Sequence, residues 1–433
     1  MSTSVSNIAS GCALGFRDWT GGRDVSSVGT NSGSEPIAFQ RWRSFKEAFA
    51  PELVEQAVEE MNRRVRHVVD PFGGSGTTGL AAQFLGVRPT VIEVNPYLAD
   101  LIEAKLARYE IDDVRDSYSL LMHSVSILKT VRPPYFPGAP RTFVEPGVDG
   151  RYLFSKETAR RIAIYRQAIA QVPSPEIRRL FTVILGSVVV AASNVVISGK
   201  GRRYRRGWEN RGEDPSRLDS LFQQAAEDAI YDLHRYAARR CRNYTVLRGD
   251  SRKLLASIEG AQLAVFSPPY PNSFDYTDVY NVELWTLGYL RNSESNLALR
   301  NSTLRSHVQI ARDMSGADYP SKLLADTVAR LQAARKSMWN PLIPDMVSAY
   351  ISDMGDVLTS LHQKLCRGGR IYMVVGDSRY AGVHVPVAGI LGEIAPIVGM
   401  AVKRIEPFRS MRVSPQQGGQ HGLAESLLVL ERP

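Results

Sequence analysis

The sequence predicts an α/β fold built on a seven-stranded, mostly parallel sheet whose last two strands form a hairpin, with a mainly helical insertion. Three observations predict it. A buried strand ending at Val68-Val69-Asp70 runs into a glycine-rich turn, Pro71-Phe72-Gly73-Gly74-Ser75-Gly76-Thr77-Thr78, and a helix starts near Thr77. The next strand, Thr90 to Ile92, ends on an acid, Glu93. The last third then alternates apolar strands with helices in the rhythm of crossover connections.

Taken in order, residues 1–37 are rich in Ser, Gly and Thr without periodicity and predict a disordered, mobile tail, with Phe16-Arg17-Asp18-Trp19 its one apolar patch. Residues 38–108 begin the sheet domain, which resumes over 244–433. Between them, 109–243 reads as an insertion. It opens on the proline-rich loop Arg132 to Pro140 and continues as helices over Lys156–Gln171, Glu176–Ser193 and Arg217–Arg240. The strand Tyr244 to Leu247 leads into the turn Gly249-Asp250-Ser251, and Gln262 to Phe266 is a further buried strand. A second insertion, 291–344, is followed by an amphipathic helix, Met346 to Cys366, ended by Gly368-Gly369. Then come a buried strand (Arg370 to Val375), an apolar helix (Val385 to Val398) and strands at Ala401–Ile405 and Ser426–Leu430.

Chemistry concentrates at Ser267-Pro268-Pro269-Tyr270, directly after an apolar strand. The exocyclic amino group of a nucleobase has its lone pair delocalised into the ring. It becomes a nucleophile only where acceptors hold its hydrogens and steer that lone pair. Ser267 Oγ and the Pro268 carbonyl can be those acceptors. The paired prolines lack backbone N–H groups and stiffen the turn, and Tyr270 offers a ring face to a base turned out of its stack. Alone, the same tetrapeptide also reads as a strand-ending turn with a packing tyrosine. The glycine loop is not a Walker A loop, because Thr77 stands where the lysine belongs. Gly74-x-Gly76-x-x-Gly79 with Glu93 satisfies the dinucleotide fingerprint, which keeps a dehydrogenase in play but leaves Ser267 to Tyr270 unexplained.

The loop at 70–78, with its Phe-x-Gly-x-Gly core of Phe72, Gly74 and Gly76, resembles that of S-adenosylmethionine-dependent DNA amino-methyltransferases, and Ser-Pro-Pro-Tyr is similar to their catalytic motif. The resemblance covers residues 38–107 and 244–433. It implies a Rossmann-like methyltransferase sheet and S-adenosylmethionine as methyl donor. Phe45, Asp70, Phe72, Gly74, Gly76, Thr78, Glu93, Asn95 and Asp250 would bind that donor, with Glu93 on the ribose hydroxyls and Asp250 on the adenine amino group. Ser267, Pro268, Pro269 and Tyr270 would be catalytic. In this family Ser before Pro-Pro usually accompanies N4-cytosine methylation and Asp or Asn usually accompanies N6-adenine methylation, so cytosine N4 is the expected target. N6-adenine, an RNA amino-methyltransferase and a non-catalytic nucleic-acid-binding subunit are the alternatives. The segment 109–243 is the candidate target recognition domain. Here it precedes the Gly249-Asp250 turn, whereas the family arrangement it most resembles has it following. Asp275 reads as a helix cap rather than a catalytic acid.

Within the insertion, five of the seven residues 200–206 are cationic: Lys200, Arg202, Arg203, Arg205 and Arg206, with Tyr204 among them. This glycine-flanked basic loop suits phosphate contact and ordering on binding; it also reads as a solvated turn. Composition agrees: 433 residues, 44% hydrophobic and a net charge of +9 accommodate a large core and favour a polyanionic partner. The expected partner is DNA, with RNA the alternative, alongside restriction or defence proteins. Cys12, Cys241 and Cys366 are scattered, so neither a disulfide framework nor a metal site is expected. No Pro-Cys dipeptide is present, which removes the thiol nucleophile of carbon-5 cytosine methylation. With no membrane-span-length apolar run and no signal pattern, a cytoplasmic location is expected.

Overall fold

Strands covered on both faces must be apolar on both sides, and the central strands of this chain are. The computed structural model describes residues 13–25, 27–31, 33–34, 36–43, 48–198, 201–210, 214–411 and 422–433. In chain order its strands are β1 (His67–Asp70), β2 (Arg88–Glu93), β3 (Val195–Ser198), β4 (Gly201–Tyr204), β5 (Thr245–Arg248), β6 (Ala261–Phe266), β7 (Leu365–Gly376), β8 (Ser378–Tyr380), β9 (Val383–Val385), β10 (Ala401–Met411) and β11 (Leu423–Glu431). Every residue of β1 is buried, and all of β6 except Gln262. One seven-stranded sheet has the order β10-β11-β7-β6-β1-β2-β5, while β3–β4 and β8–β9 are separate hairpins. Strands β7, β6, β1, β2 and β5 are parallel, and β11 runs antiparallel to both β7 and β10. This is the expected plan, with its closing antiparallel pair.

The order reverses between β1 and β6. Chain progress runs β1-β2-β5 to one side and β6-β7 to the other, so their adjacent carboxyl ends diverge into a crevice, the usual ligand position in an open α/β sheet. Apolar side chains cover both faces. One core gathers Val68, Leu80, Val91 and Tyr372. The other gathers Val69, Ile92, Phe266, Ile371 and the helix Ile343–Lys364.

Three local expectations need correction. Gly368 and Gly369 do not end a helix; they lie inside β7, which begins at Leu365. A Cβ on Gly369 would stand 3.1 Å from the Gln262 carbonyl, where β6 and β7 shift register, so glycine here serves an irregular pairing. Strand β10 continues past Ile405 to Met411, because an outer strand tolerates Pro407 and absorbs it at a bulge. The tail is ordered over much of its second half. Phe16–Thr20 is a short helix, Trp19 stacks on Phe84 with ring centroids 4.8 Å apart, and its Nε1 donates to the Ala38 carbonyl at 3.0 Å. Residues 1–12 lie outside the described residues.

The insertion holds helices Ile111–Ile127, Lys156–Ala170, Pro175–Ala192 and Ser216–Arg235. It shares one hydrophobic core with the first face of the sheet. Its central helix packs against the helix Pro96–Leu106 so closely that a Cβ on Gly186 would lie 2.4 Å from the Tyr97 ring. From Ser216–Arg235, the buried Asp232 accepts from Phe39 N at 2.8 Å and Trp42 Nε1 at 3.0 Å, and also pairs with Arg41.

The expected disordered basic loop is instead the β3–β4 hairpin, built on the β-branched run Val195-Val196-Ile197. Lys200 lies outside the described residues. Arg202, Arg203 and Arg206 are exposed. Arg205 is not free: Nε donates to the Ser193 carbonyl and Nη2 to the Val190 carbonyl, both at 3.2 Å, and so it caps the end of Pro175–Ala192. Tyr204 packs against Trp208 and beneath Arg151.

Candidate functional site

At the carboxyl ends of β1, β2, β5 and β6 lies a cavity of about 350 Å³, within the roughly 300–1,000 Å³ of small-molecule sites. Its lining includes Asp70, Phe72, Gly74, Glu93, Asn95 and Asp250 together with all of Ser267 to Tyr270. Two sequence segments almost 200 residues apart therefore share one wall. Gly76 and Thr78, at the start of the helix Thr77–Leu85, are not among the lining residues, whereas Phe49 is. Phe45 lies outside the described residues.

The glycine loop is held from several sides. Gly74 and Gly76 have φ of 53° and 84°, a left-handed backbone that favours glycine. A Cβ on Gly73 would stand 2.3 Å from Val91 Cγ1. Glu93 spans the loop and its own strand end: Oε2 accepts from Gly74 N at 2.7 Å and Oε1 from Asn95 N at 2.8 Å. Asp70 Oδ1 accepts from Phe72 N at 2.9 Å. Thr78 Oγ1 donates to the Val265 carbonyl at 3.2 Å, tying the loop's helix to β6. Lys105, which belongs to no motif, is buried and donates to the Ser75 carbonyl at 2.7 Å. Its one signal in the sequence is a cation on the apolar face of a helix.

Two further donor-site candidates carry structural duties. Asn95 caps the helix Pro96–Leu106, its Oδ1 accepting from Tyr97 N and Leu98 N. Asp250 caps Ser251–Leu254 and is held by Arg252, with Oδ1 2.9 Å from Nε and Oδ2 2.7 Å from Nη2. Arg252 in turn reaches the buried Asp353, which also holds Arg305.

Electrostatics select the ligand class. Burial raises Asp70 and Glu93 to about 7, because each loses hydration that its backbone donors only partly replace. Glu425 adds a carboxylate, and no Lys or Arg lines the cavity among the described residues. Such a wall suits a cation and hydroxyl donors. It is the reverse of what a pyrophosphate requires.

At the other end, Ser267 Oγ donates to Tyr270 Oη at 3.2 Å, and Tyr270 Oη donates to Glu425 Oε1 at 2.7 Å. A carboxylate is acceptor-only, so it fixes the direction of the chain. The serine proton is thereby committed, and its oxygen is left as an acceptor. Burial and the Glu425 charge raise Tyr270 well above its ordinary range, keeping it a neutral donor. Glu425 escapes sequence reasoning because its only signal is an acid at the start of a buried strand. Asp275 is a cap as expected: Oδ1 accepts from Thr277 N at 2.9 Å and Oδ2 from Arg300 Nε at 2.6 Å.

The basic hairpin stands beside this end. Arg202 Nη2 lies 3.9 Å from Asp278 Oδ1 on the short helix Tyr276–Val279, whose Tyr276 and Thr277 line the cavity. Among the described residues no cluster of three or more metal-ligating side chains occurs, and no helix is long and apolar enough to cross a membrane.

The seven-stranded sheet, mostly parallel and closed by an antiparallel pair, is a Rossmann-like α/β sheet. The chain is homologous over most of its length to curated Type II methyltransferases. It is 26% identical to Type II methyltransferase M.AvaI of Nostoc sp. and to that of Anabaena variabilis, over 91% of this chain and 86% of each relative. It is 22% identical to Type II methyltransferase M.BsoBI of Geobacillus stearothermophilus, over 92% of this chain and 86% of the relative. No protein-family model matches the chain. Among solved structures, TrmN from Thermus thermophilus aligns with 12% identity and a TM-score of 0.27, over 88% of this chain and 49% of that one. The rRNA methyltransferase aviRa from Streptomyces viridochromogenes aligns with 11% identity and a TM-score of 0.29, over 89% and 86%.

Proposed function

We propose that this protein transfers a methyl group from S-adenosylmethionine to the exocyclic N4 amino group of cytosine in DNA, directly and in line, with the base flipped into the cavity. The observation that carries the reading is the hydrogen-bonded chain Ser267–Tyr270–Glu425 facing an anionic cradle across one cavity. The residues fit the donor: Asp70 and Glu93 are buried carboxylates in want of a cation and of hydroxyl partners, and Gly74 lets backbone approach closely. When bound, S-adenosylmethionine supplies a methyl group on a positively charged sulfur.

The chain's own residues do the rest. Ser267 Oγ, its proton already donated, and the Pro268 carbonyl accept the two amino hydrogens and turn the nitrogen lone pair toward the methyl. The ring of Tyr270 supports the base by stacking. The amine sheds its extra proton to solvent, so no separate base is needed. Relatives named as Type II methyltransferases support DNA as the polymer, and serine at position 267 supports cytosine. Residues 109–243, with Arg202, Arg203 and Arg206 exposed on the hairpin, are the proposed surface for recognising the polynucleotide. Incubating the full chain with donor and either DNA or RNA, then identifying the modified nucleoside by mass, tests the reading. N4-methylcytosine from DNA is the expected product. N6-methyladenine, or product from RNA alone, overturns the assignment of base or polymer, and no transfer to either overturns the activity.

A further inference from the structure

The second insertion reaches the cavity as well as its surroundings. Its residues Ser302 to Leu304, Ser306 and His307 line the same cavity as the glycine loop. The stretch is locked to the loop that follows Tyr270: Ser273 N donates to the Ser306 carbonyl at 3.0 Å, and Gln309 Nε2 donates to the Ser273 carbonyl at 2.6 Å. Ser273 itself has φ of 54°, a strained conformation for a residue with a side chain, held by these contacts. Strain of this kind clusters at functional sites.

His307 is the unexplained member of that lining. Its side chain is 1% exposed, and neither ring nitrogen has a hydrogen-bond partner among the described residues. Asp275 Oδ1 lies 3.8 Å from Nε2, Gln309 stands close enough to favour the protonated ring, and the Arg300 and Arg312 charges oppose it. Burial lowers it to about 4, so at neutral pH the imidazole is uncharged, with one N–H donor and one acceptor nitrogen. A buried polar ring left unpaired is costly, and the cavity is where a partner can enter.

Resting on the proposed base methylation, we infer that His307 is a positioning residue that donates a hydrogen bond to the flipped base. With the amino group engaged by Ser267 and Pro268, the rest of a cytosine's pairing edge consists of two acceptors, N3 and O2. A neutral imidazole N–H complements either. The insertion 291–344 thus supplies the donor that the Ser-Pro-Pro-Tyr turn lacks. Two prolines remove backbone N–H groups at that turn, and the hydroxyls of Ser267 and Tyr270 point their protons toward Glu425.

The test compares wild type with His307→Ala and His307→Asn, measuring methyl transfer to DNA by nucleoside mass and S-adenosylhomocysteine binding by calorimetry. His307→Ala is expected to lower kcat/KM for DNA roughly 10- to 100-fold while the S-adenosylhomocysteine Kd changes less than about twofold. His307→Asn, which keeps a donor, and imidazole added to His307→Ala are each expected to recover part of the loss. Wild-type transfer by His307→Ala overturns the inference, as does a joint loss of cofactor binding and activity that neither rescue relieves. If wild type itself transfers no methyl group, the proposed function fails and the inference with it.

Discussion

Tyr270 and Glu425, separated by 155 residues, are joined by a hydrogen bond of 2.7 Å that closes the cavity between the end of β6 and the start of β11. The antiparallel closing strand makes this possible, since it brings its amino end to the same edge of the sheet as the carboxyl ends of the parallel strands. Through Tyr270, the Glu425 carboxylate sets the direction of the Ser267 hydroxyl. Ser267→Ala is expected to reduce methyl transfer to background, and Tyr270→Phe to lower kcat by about 10- to 100-fold, the value of a hydrogen bond to a charged partner. Donor Kd stays unchanged in both. Tyr270→Phe combined with Glu425→Gln is expected to cost no more than the larger single loss, and full additivity in this cycle would show that the two side chains act separately.

Donor binding is expected to depend on pH through Asp70 and Glu93, both raised to about 7 by burial. A carboxyl raised in the fold favours the folded state fully below its unfolded value near 4, and that contribution is lost as pH rises through 7. A cationic ligand favours the ionised form. S-adenosylmethionine Kd should therefore tighten between pH 6 and 8 by roughly tenfold for each of the two carboxyls that must ionise. Calorimetry on Asp70→Asn should show weaker binding and a shallower slope; a wild-type profile that is flat across this window refutes the assignment.

The hairpin arginines should separate by role. Replacing the exposed Arg202, Arg203 and Arg206 with Ala is expected to weaken polynucleotide binding and reduce its salt slope by up to about 3, one for each phosphate no longer neutralised. Arg205→Ala should instead lower thermal stability, since its guanidinium holds the Val190 and Ser193 carbonyls. An unchanged salt slope in the triple variant removes the hairpin from the binding surface.

Trp19, buried to 3% exposure against Phe84, is expected to behave as a core residue. Trp19→Ala should destabilise the whole fold by about 3–5 kcal/mol, seen as a lower midpoint in denaturant unfolding. A midpoint equal to wild type would return this segment to the status of a loose tail.

The legible parts of this protein were those whose chemistry is local. Asp70 to Thr78 announces a tight turn between strand and helix because left-handed backbone at Gly74 and Gly76 favours glycine, and Ser267 to Tyr270 announces a stiff turn because proline restricts its own dihedral. Strand and helix positions followed from hydrophobic period, and the closing hairpin from the order of elements. What remained hidden depends on partners distant in the chain. Gly369 reads as a helix stop until Gln262 is placed beside it, and Arg205 reads as a free cation until the end of Pro175–Ala192 is found beneath it. Glu425, Lys105 and His307 have no motif of their own, since a lone polar residue in an apolar segment acquires a meaning only from what the fold sets against it. Hydrophobic patterning is a property of the chain, whereas the polarity of a hydrogen-bond chain and the charge of a cavity wall belong to groups that only folding brings within 3 Å of one another.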